Sequence, residues 1–138
     1  MSQKLTVAVR DSPTIEPAET YEEADSRYLF VQPSLGMFLN TVYTGKEMTT
    51  HVHPHYHQFV YFVEGEGVGD IDGQQFPLRP GISVRIPAGV PHSWRCTSQR
   101  DLKYVELKVP IGPDVDLQDH IEQMMPHVNP QRLGIDVS

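Results

Sequence analysis

The chain lacks the features that mark secreted and membrane-bound proteins. Among its 138 residues Cys96 is the single cysteine, so no disulfide can form within the chain and a reducing compartment is favoured. No apolar run approaches the roughly 18 residues of a membrane-spanning helix. The N-terminal residues have no apolar segment of the kind found in signal peptides. We therefore expect a cytoplasmic protein that does not associate with a membrane.

Clusters of basic residues are absent as well. The chain has 11 Lys and Arg against 18 Asp and Glu, a formal net charge of -7. Proteins that bind nucleic acid or anionic membranes normally carry a basic patch. We therefore expect this protein to bind neither. The acidic residues form no long runs, and this charge indicates ordinary solubility.

Short apolar segments separated by turn residues make up most of the chain. Their spacing of roughly 8–12 residues predicts an all-β sandwich or barrel. Asp72-Gly73 predicts a hairpin, and Pro77 confines its segment to an edge or a bend. The alternating residues 5–9 predict an N-terminal strand.

The length suits one compact domain over residues 1–138. We expect its core at about 27–110, an N-terminal strand and acidic arm at 1–26, and a C-terminal helix and tail at 114–138. Helical spacing of apolar residues, an acidic cap and a terminating proline predict the helix. These residues are Leu117, Ile121, Met124 and Met125, with Asp114 or Asp116 as cap and Pro126 at the end.

Four of the seven histidines fall at alternate positions: His51, His53, His55 and His57. Residues two apart in a strand face the same side, so two imidazoles there can converge on one metal ion. A solvated polar loop is the alternative for a single His-x-His pair, and a third histidine, His57, favours a metal. His55 follows Pro54, whose fixed φ disturbs the alternation, so we place it at the rim.

A second group of candidate residues lies between Gly81 and Cys96. A predicted strand enters a turn held by Pro87 and Gly89, and His92 opens the next strand. His92, Trp94 and Cys96 then share one face of that strand. Taken alone, His92 is typical of a partly buried histidine.

Together the two segments resemble the cupin superfamily over about residues 45–96. The motif G-x5-H-x-H-x(3,4)-E-x6-G is matched by four residues and the motif G-x5-P-x-G-x2-H-x3-N by four more. They are Gly45, His51, His53 and Gly65, then Gly81, Pro87, Gly89 and His92. The resemblance implies a small β-barrel (a double-stranded β-helix or jelly roll) that binds one metal ion inside.

The chain departs from these motifs at two positions. Cys96 replaces the final Asn, and the Glu position holds Gln58 or His57, according to the spacing used. Two ligand sets follow: three imidazoles with the Gln58 carbonyl, or four imidazoles, His51, His53, His57 and His92. Imidazole is the better donor to a borderline divalent ion, so we favour the second set. Gln58 then contacts substrate or supports a ligand.

The missing carboxylate also affects the choice of metal. The two-histidine, one-carboxylate set that suits oxygen-activating Fe(II) is absent. Four neutral ligands leave the full charge on the ion, which favours polarising a carbonyl or acidifying a water. We predict one divalent metal used without redox change, zinc before nickel, cobalt, iron or manganese.

Within the cupins, residues 51–67 are similar to the single-domain aromatic polyketide cyclases. That resemblance implies a metal-dependent enzyme that promotes aldol-type ring closure of an aromatic polyketide precursor in antibiotic biosynthesis. The substrate would be a small-molecule polyketide, free or on an acyl carrier protein, and the protein a homodimer. The alternatives are a cupin dioxygenase or isomerase acting on another small molecule, and a cupin that binds a metal or small molecule without catalysis.

Apolar and aromatic side chains are the expected lining of a substrate pocket. Tyr61 and Trp94 are assigned catalytic roles because they share faces with His57 and His92, and Gln58 joins them. The remaining predicted lining residues are Met37, Leu39, Tyr43, Phe59, Phe62, Cys96 and Tyr104. His120 and His127 are predicted to be solvated.

Overall fold

The computed structural model describes residues 5–136, so the predicted parts at 1–4 and 137–138 lie outside the described residues. A 3-10 turn at Ser12–Thr14 precedes the strands. The strands are β1 (Glu19–Thr20), β2 (Ala24–Gln32), β3 (Leu35–Val42), β4 (Tyr56–Glu64), β5 (Gly67–Ile71), β6 (Gln74–Leu78), β7 (Ser83–Ile86), β8 (His92–Cys96) and β9 (Leu102–Pro110). Helix α1 follows at Leu117–Met124. No helix within residues 5–136 is long and apolar enough to cross a membrane.

The strands form two antiparallel sheets. One sheet has the order β1-β2-β3-β9-β4-β7, and the other has the order β6-β5-β8. Side chains from both sheets meet in one buried cluster that includes Phe62 of β4, Trp94 of β8 and Tyr104 of β9. The Phe62 and Trp94 rings pack edge to face, with centroids 5.3 Å apart. The predicted all-β class is confirmed.

The predicted hairpin joins β5 to β6. Asp72 and Gly73 have φ values of 52° and 81°, which is the left-handed pair that a two-residue hairpin turn requires. Pro77 lies on β6, at the edge of the three-stranded sheet, as its missing N–H predicts.

The strand predicted at residues 5–9 is wrong. These residues carry no strand pairing in the structure, and Val7 and Val9 are 98% and 94% exposed. Alternation specifies a strand only when one face is buried, and neither face of this segment is. Further along the predicted arm, β1 pairs with β2. The predicted homodimer stays a prediction.

Helix α1 begins and ends close to its predicted limits. The Asp116 carboxylate accepts a hydrogen bond of 2.9 Å from the Asp119 N–H and so caps the first turn. Leu117 and Ile121 are buried in a second apolar cluster, which includes Tyr56. Met124, at the predicted apolar spacing, is instead 58% exposed. The helix thus packs beside the start of β4.

Gly65, the last residue of the first motif, has two reasons to be glycine. Its φ is 79°, and a Cβ there would overlap the carbonyl oxygen of Asp101. Gly45, the first residue of the motif, has a similar φ of 73° but open space around it. Alanine at either position should therefore lower the free energy of unfolding by about 1–2 kcal/mol, because a residue with a Cβ is strained in the left-handed conformation. Gly65→Ala adds the overlap with backbone.

We expect Gly65→Ala to lower the free energy of unfolding clearly more than Gly45→Ala does. Urea denaturation of both variants measures the difference. Equal losses would show that the close approach of β4 and the Asp101 backbone does not constrain Gly65.

Candidate metal site

Backbone hydrogen bonds bring the two sequence motifs together. His51 and His92 form an antiparallel bridge in which the N–H of each donates to the carbonyl of the other at 3.1 Å. The Gly89 N–H, in the turn before β8, donates to the His53 carbonyl at 3.0 Å. The turn predicted from Pro87 and Gly89 therefore holds the second motif against the first.

Three histidines converge at this junction. Ligand nitrogens of His51, His53 and His92 all lie within 4.8 Å of one another. Ring centroids are separated by 4.9 Å for His51 and His53 and by 4.4 Å for His51 and His92. Zinc–imidazole bonds are about 2.0–2.1 Å long, so small ring rotations would bring the three nitrogens onto one ion.

Backbone carbonyls set the tautomers of two of these rings. His51 Nδ1 lies 2.9 Å from the Thr49 carbonyl oxygen, and His92 Nδ1 lies 3.0 Å from that of Val90. A carbonyl only accepts, so each Nδ1 must carry the proton and each Nε2 keeps a free lone pair. Metal-binding histidines are normally held in this way. The residues therefore fit a divalent ion.

The surroundings also keep the imidazoles neutral. Burial, together with Lys108, His51 and His92, lowers the pKa of His53 to about 3. Burial is also the main reason that the pKa of His92 is lowered. A proton competes with a metal ion for the same ring nitrogen. Because burial disfavours the protonated imidazole, the ring is already in the neutral form that a metal ion binds.

His57 does not join this cluster, contrary to the prediction. Residues 54 and 55 form a turn, so the inward-facing positions change from odd numbers to even numbers as β4 begins. His57 therefore faces away from the interior. Its Nδ1 accepts a hydrogen bond of 2.9 Å from the Ala88 N–H, which ties β4 to the turn before β8. The structure does not assemble the four-imidazole set.

Gln58 takes the interior position instead. It is 2% exposed, and its Nε2 donates to Oε2 of the buried Glu106. Gln58 thus lies on the inner face of β4, as the other ligand set, three imidazoles with the Gln58 carbonyl, requires.

A cavity of about 390 Å³ opens beside the three histidines. Trp94 and Tyr104 line it, as predicted, and supply flat apolar walls. Its volume lies in the range of small-molecule sites. The predicted catalytic Tyr61 and the predicted lining residue Phe59 are wrong, because both project outward from β4 and are 52% and 41% exposed.

The other predicted lining residues also lie elsewhere. Phe62 and Cys96 are buried in the core between the sheets. Met37, Leu39 and Tyr43 do not line the cavity, and Met37 and Leu39 alternate with the buried Phe38 and so occupy the opposite face of β3. Alternation identified the two faces of each strand but did not tell which face was inner. His55 is exposed, as expected of a rim residue, and so is His127.

A tyrosine–histidine pair at the cavity was missed by the sequence reasoning. The Tyr56 hydroxyl is hydrogen-bonded to His120 Nδ1, and their rings stack with centroids 5.7 Å apart. Both line the cavity, so the expectation that His120 is solvated is wrong. The signal was present in the sequence, because His120 is one turn after the buried Leu117 and next to the buried Ile121.

Two charged residues of β9 were missed as well. Glu106 and Lys108 line the cavity, alternating along the strand with the outward-facing residues. Glu106 is 6% exposed, and its Oε1 accepts a hydrogen bond of 2.8 Å from Asn40 Nδ2. The Lys108 Nζ lies 4.9 Å from the centroid of the Phe38 ring. The sequence did contain an indication of this, because Glu106 and Lys108 alternate along the strand in phase with the buried Tyr104.

Comparisons with known proteins agree with these observations. Residues 38–108 match the cupin domain family. The chain is similar to the polyketide synthase CurC of Streptomyces cyaneus, with 30% identity over 131 residues, which covers 91% of this chain and 84% of CurC. A shorter segment is similar to quercetin 2,3-dioxygenase of Bacillus subtilis, with 36% identity over 56 residues, or 41% of this chain and 17% of that enzyme.

The fold is also similar to that of KdgF from Halomonas sp. The TM-score is 0.70 at 19% sequence identity, over 79% of this chain and 98% of KdgF. At this level of sequence identity the similarity shows a shared fold and nothing about function. Since the family match spans both histidine motifs and the similarity to CurC extends over most of the chain, the chain belongs to the cupin domain family.

Proposed function

We propose that the chain is a metal-dependent cyclase that closes a ring of an aromatic polyketide precursor by aldol chemistry. The observation that carries the proposal is the cluster of His51, His53 and His92 on the wall of an aromatic-lined cavity. The similarity to the polyketide synthase CurC supports the choice of substrate class. The cavity is open rather than filled by side chains, which favours an enzyme over a purely structural cupin.

His51, His53 and His92 would hold the metal, with the Gln58 carbonyl as the fourth protein group. Zinc suits this set, because imidazole is a good ligand for it and, among residues 5–136, no carboxylate belongs to the cluster. When bound, such an ion polarises carbonyl oxygens and so makes the methylene between two carbonyls more acidic.

The walls of the cavity would set the fold of the substrate chain. A poly-β-ketone can close in several wrong ways, so an enzyme must hold one pair of reacting carbons together. Trp94 and Tyr104 offer flat surfaces to the growing ring. Lys108 is the one Lys or Arg side chain that lines the cavity within the described part of the chain, and its charge would stabilise an enolate oxygen.

Tyr56 and His120 are placed to move the protons. With Nδ1–H of His120 donating to the Tyr56 oxygen, His120 Nε2 can accept a proton from a methylene carbon, and the Tyr56 O–H can donate to a carbonyl. The resulting enolate carbon attacks the second carbonyl carbon of the same chain. The attacked carbonyl oxygen becomes an alkoxide that takes the Tyr56 proton, and His120 Nδ1–H returns a proton to Tyr56. Loss of the new hydroxyl together with a proton from the adjacent carbon releases water and gives the unsaturated ring.

Reconstitution with a polyketide synthase tests the proposal. The synthase is run with and without this protein, and the ring pattern of the products is identified by mass spectrometry and NMR. We expect the wild type to direct one pattern, and His53→Ala and His92→Ala to lose that control. His127→Ala, which changes an exposed histidine, is the matched control and should behave as wild type.

Two results of that assay would contradict the metal-cyclase proposal. One is the same ring pattern with and without the protein. The other is normal redirection by folded His53→Ala and His92→Ala variants that carry no metal.

A dioxygenase is the second candidate, favoured by the similarity to quercetin 2,3-dioxygenase over 56 residues. A three-histidine site can also hold iron. The two candidates differ in their need for oxygen, since aldol closure consumes none. Redirected cyclisation under strict anaerobiosis supports the cyclase, whereas a reaction that requires both Fe(II) and oxygen supports the dioxygenase.

A further inference from the structure

Three neighbouring strands place a carboxylate between two amides on the inner face of the sheet. Glu106 lies on β9, between Asn40 on β3 and Gln58 on β4. Asn40 Nδ2 donates to its Oε1 at 2.8 Å, and Gln58 Nε2 donates to its Oε2. All three residues are less than a tenth exposed. Glu106 is therefore a buried charge that both of its neighbours stabilise.

The carboxylate of Glu106 determines the orientation of the two side-chain amides that contact it. An ionised carboxylate accepts hydrogen bonds and cannot donate them, so the Gln58 NH2 group must face Glu106. The Gln58 carbonyl is then turned away from Glu106 and is available to another group. A neutral amide at position 106 could either donate or accept and would not impose this orientation.

Glu106 also lines the same cavity as His51, His53 and His92. Its charge would favour a cation held by these three histidines. The protein groups of that cluster are all neutral imidazoles, and the buried Glu106 carboxylate can supply compensating negative charge from the same cavity.

We propose that Glu106 is the positioning residue of the metal site: it orients the Gln58 carbonyl toward the ion and supplies the negative charge that the neutral ligands lack. This rests on the metal set of the proposed function. It also explains why position 58 is an amide in this chain. A glutamate there would press a second carboxylate against Glu106 in a buried site, where like charges are strongly unfavourable.

Exchanging the two groups tests this proposal. The variants are Glu106→Gln, Gln58→Glu and the double variant Gln58→Glu/Glu106→Gln, with Glu66→Gln as a control that removes one exposed carboxylate. Zn²⁺ affinity is measured by calorimetry with a competing chelator, and the stability of the metal-free proteins is measured by urea unfolding. Neither readout depends on cyclisation, so the result is separate from the choice of substrate.

We expect Glu106→Gln to weaken Zn²⁺ binding by about 10–100-fold, the usual effect of removing a group that orients a ligand. Gln58→Glu should destabilise the metal-free protein, and the double variant should recover both stability and affinity. Glu66→Gln should match the wild type in both measurements. Wild-type Zn²⁺ affinity in Glu106→Gln, or a double variant no more stable than Gln58→Glu, would overturn the proposal. The double variant keeps the test decisive if Glu106→Gln alone is unstable.

Discussion

Replacing His53 or His92 by alanine should abolish stoichiometric Zn²⁺ binding, while His57→Ala should retain it. His53 and His92 belong to the cluster of three converging imidazoles, and His57 lies on the opposite face of β4. Removing one of three imidazoles leaves too few strong donors for a tight site. Metal content after dialysis, together with calorimetric titration, measures the difference.

His57→Ala is the matched control because it also removes an imidazole from the same sequence motif. It does remove the acceptor of the Ala88 N–H, so a modest loss of stability is expected without loss of metal. Loss of the ion from a folded His57→Ala variant would restore the four-imidazole set and contradict the site described above. Full occupancy in His92→Ala would contradict it equally.

Mild acid should destabilise the metal-free protein because of His53. In the unfolded chain its imidazole binds a proton with a pKa near 6.5, whereas in the folded protein burial lowers that pKa to about 3. Between these values the unfolded state binds more protons, so stability increases with pH. The stability is fully present above about 6.5 and falls as the pH is lowered.

The expected loss between pH 7.5 and pH 5 is about 1–2 kcal/mol, the lower figure allowing for solvent screening of a partly exposed ring. Urea unfolding of chelator-treated protein at the two pH values measures it. His53→Asn removes the titrating ring and should flatten the dependence, whereas His127→Asn should not. An equally steep dependence in wild type and His53→Asn would show that His53 is not the cause.

Local sequence patterns predicted the strands and the motif residues well. The apolar segments became β2 to β9, and the Asp72-Gly73 turn formed the predicted hairpin. Pro87 and Gly89 positioned His92 beside His51 because a short turn dictates the direction of the strand that follows. These features depend on neighbours in the sequence, which is why the sequence alone was sufficient.

The inner face of β4 could not be predicted in the same way. Strand alternation carried on from His53 assigns His57, Phe59 and Tyr61 to the interior, but one turn at residues 54 and 55 reverses the assignment. A single added residue in a turn moves every later side chain to the other face. Gln58 and Phe62 therefore face the interior, and His57, Phe59 and Tyr61 do not.

The remaining parts of the cavity depend on contacts between distant elements. Glu106 meets Gln58 because β9 lies between β3 and β4, an order that adjacent sequence does not reveal. His120 meets Tyr56 because α1 packs beside the start of β4. Sequence spacing could place these residues on a strand face or a helix face, but it could not pair them.

A crystal structure of the zinc-loaded protein, with anomalous data collected at the zinc absorption edge, tests the central claim most directly. The account predicts one anomalous peak in the cavity, about 2.0–2.1 Å from nitrogens of His51, His53 and His92, with the Gln58 carbonyl oxygen toward the ion. A peak bound by His57, or no peak beside these three histidines at full zinc loading, would contradict it.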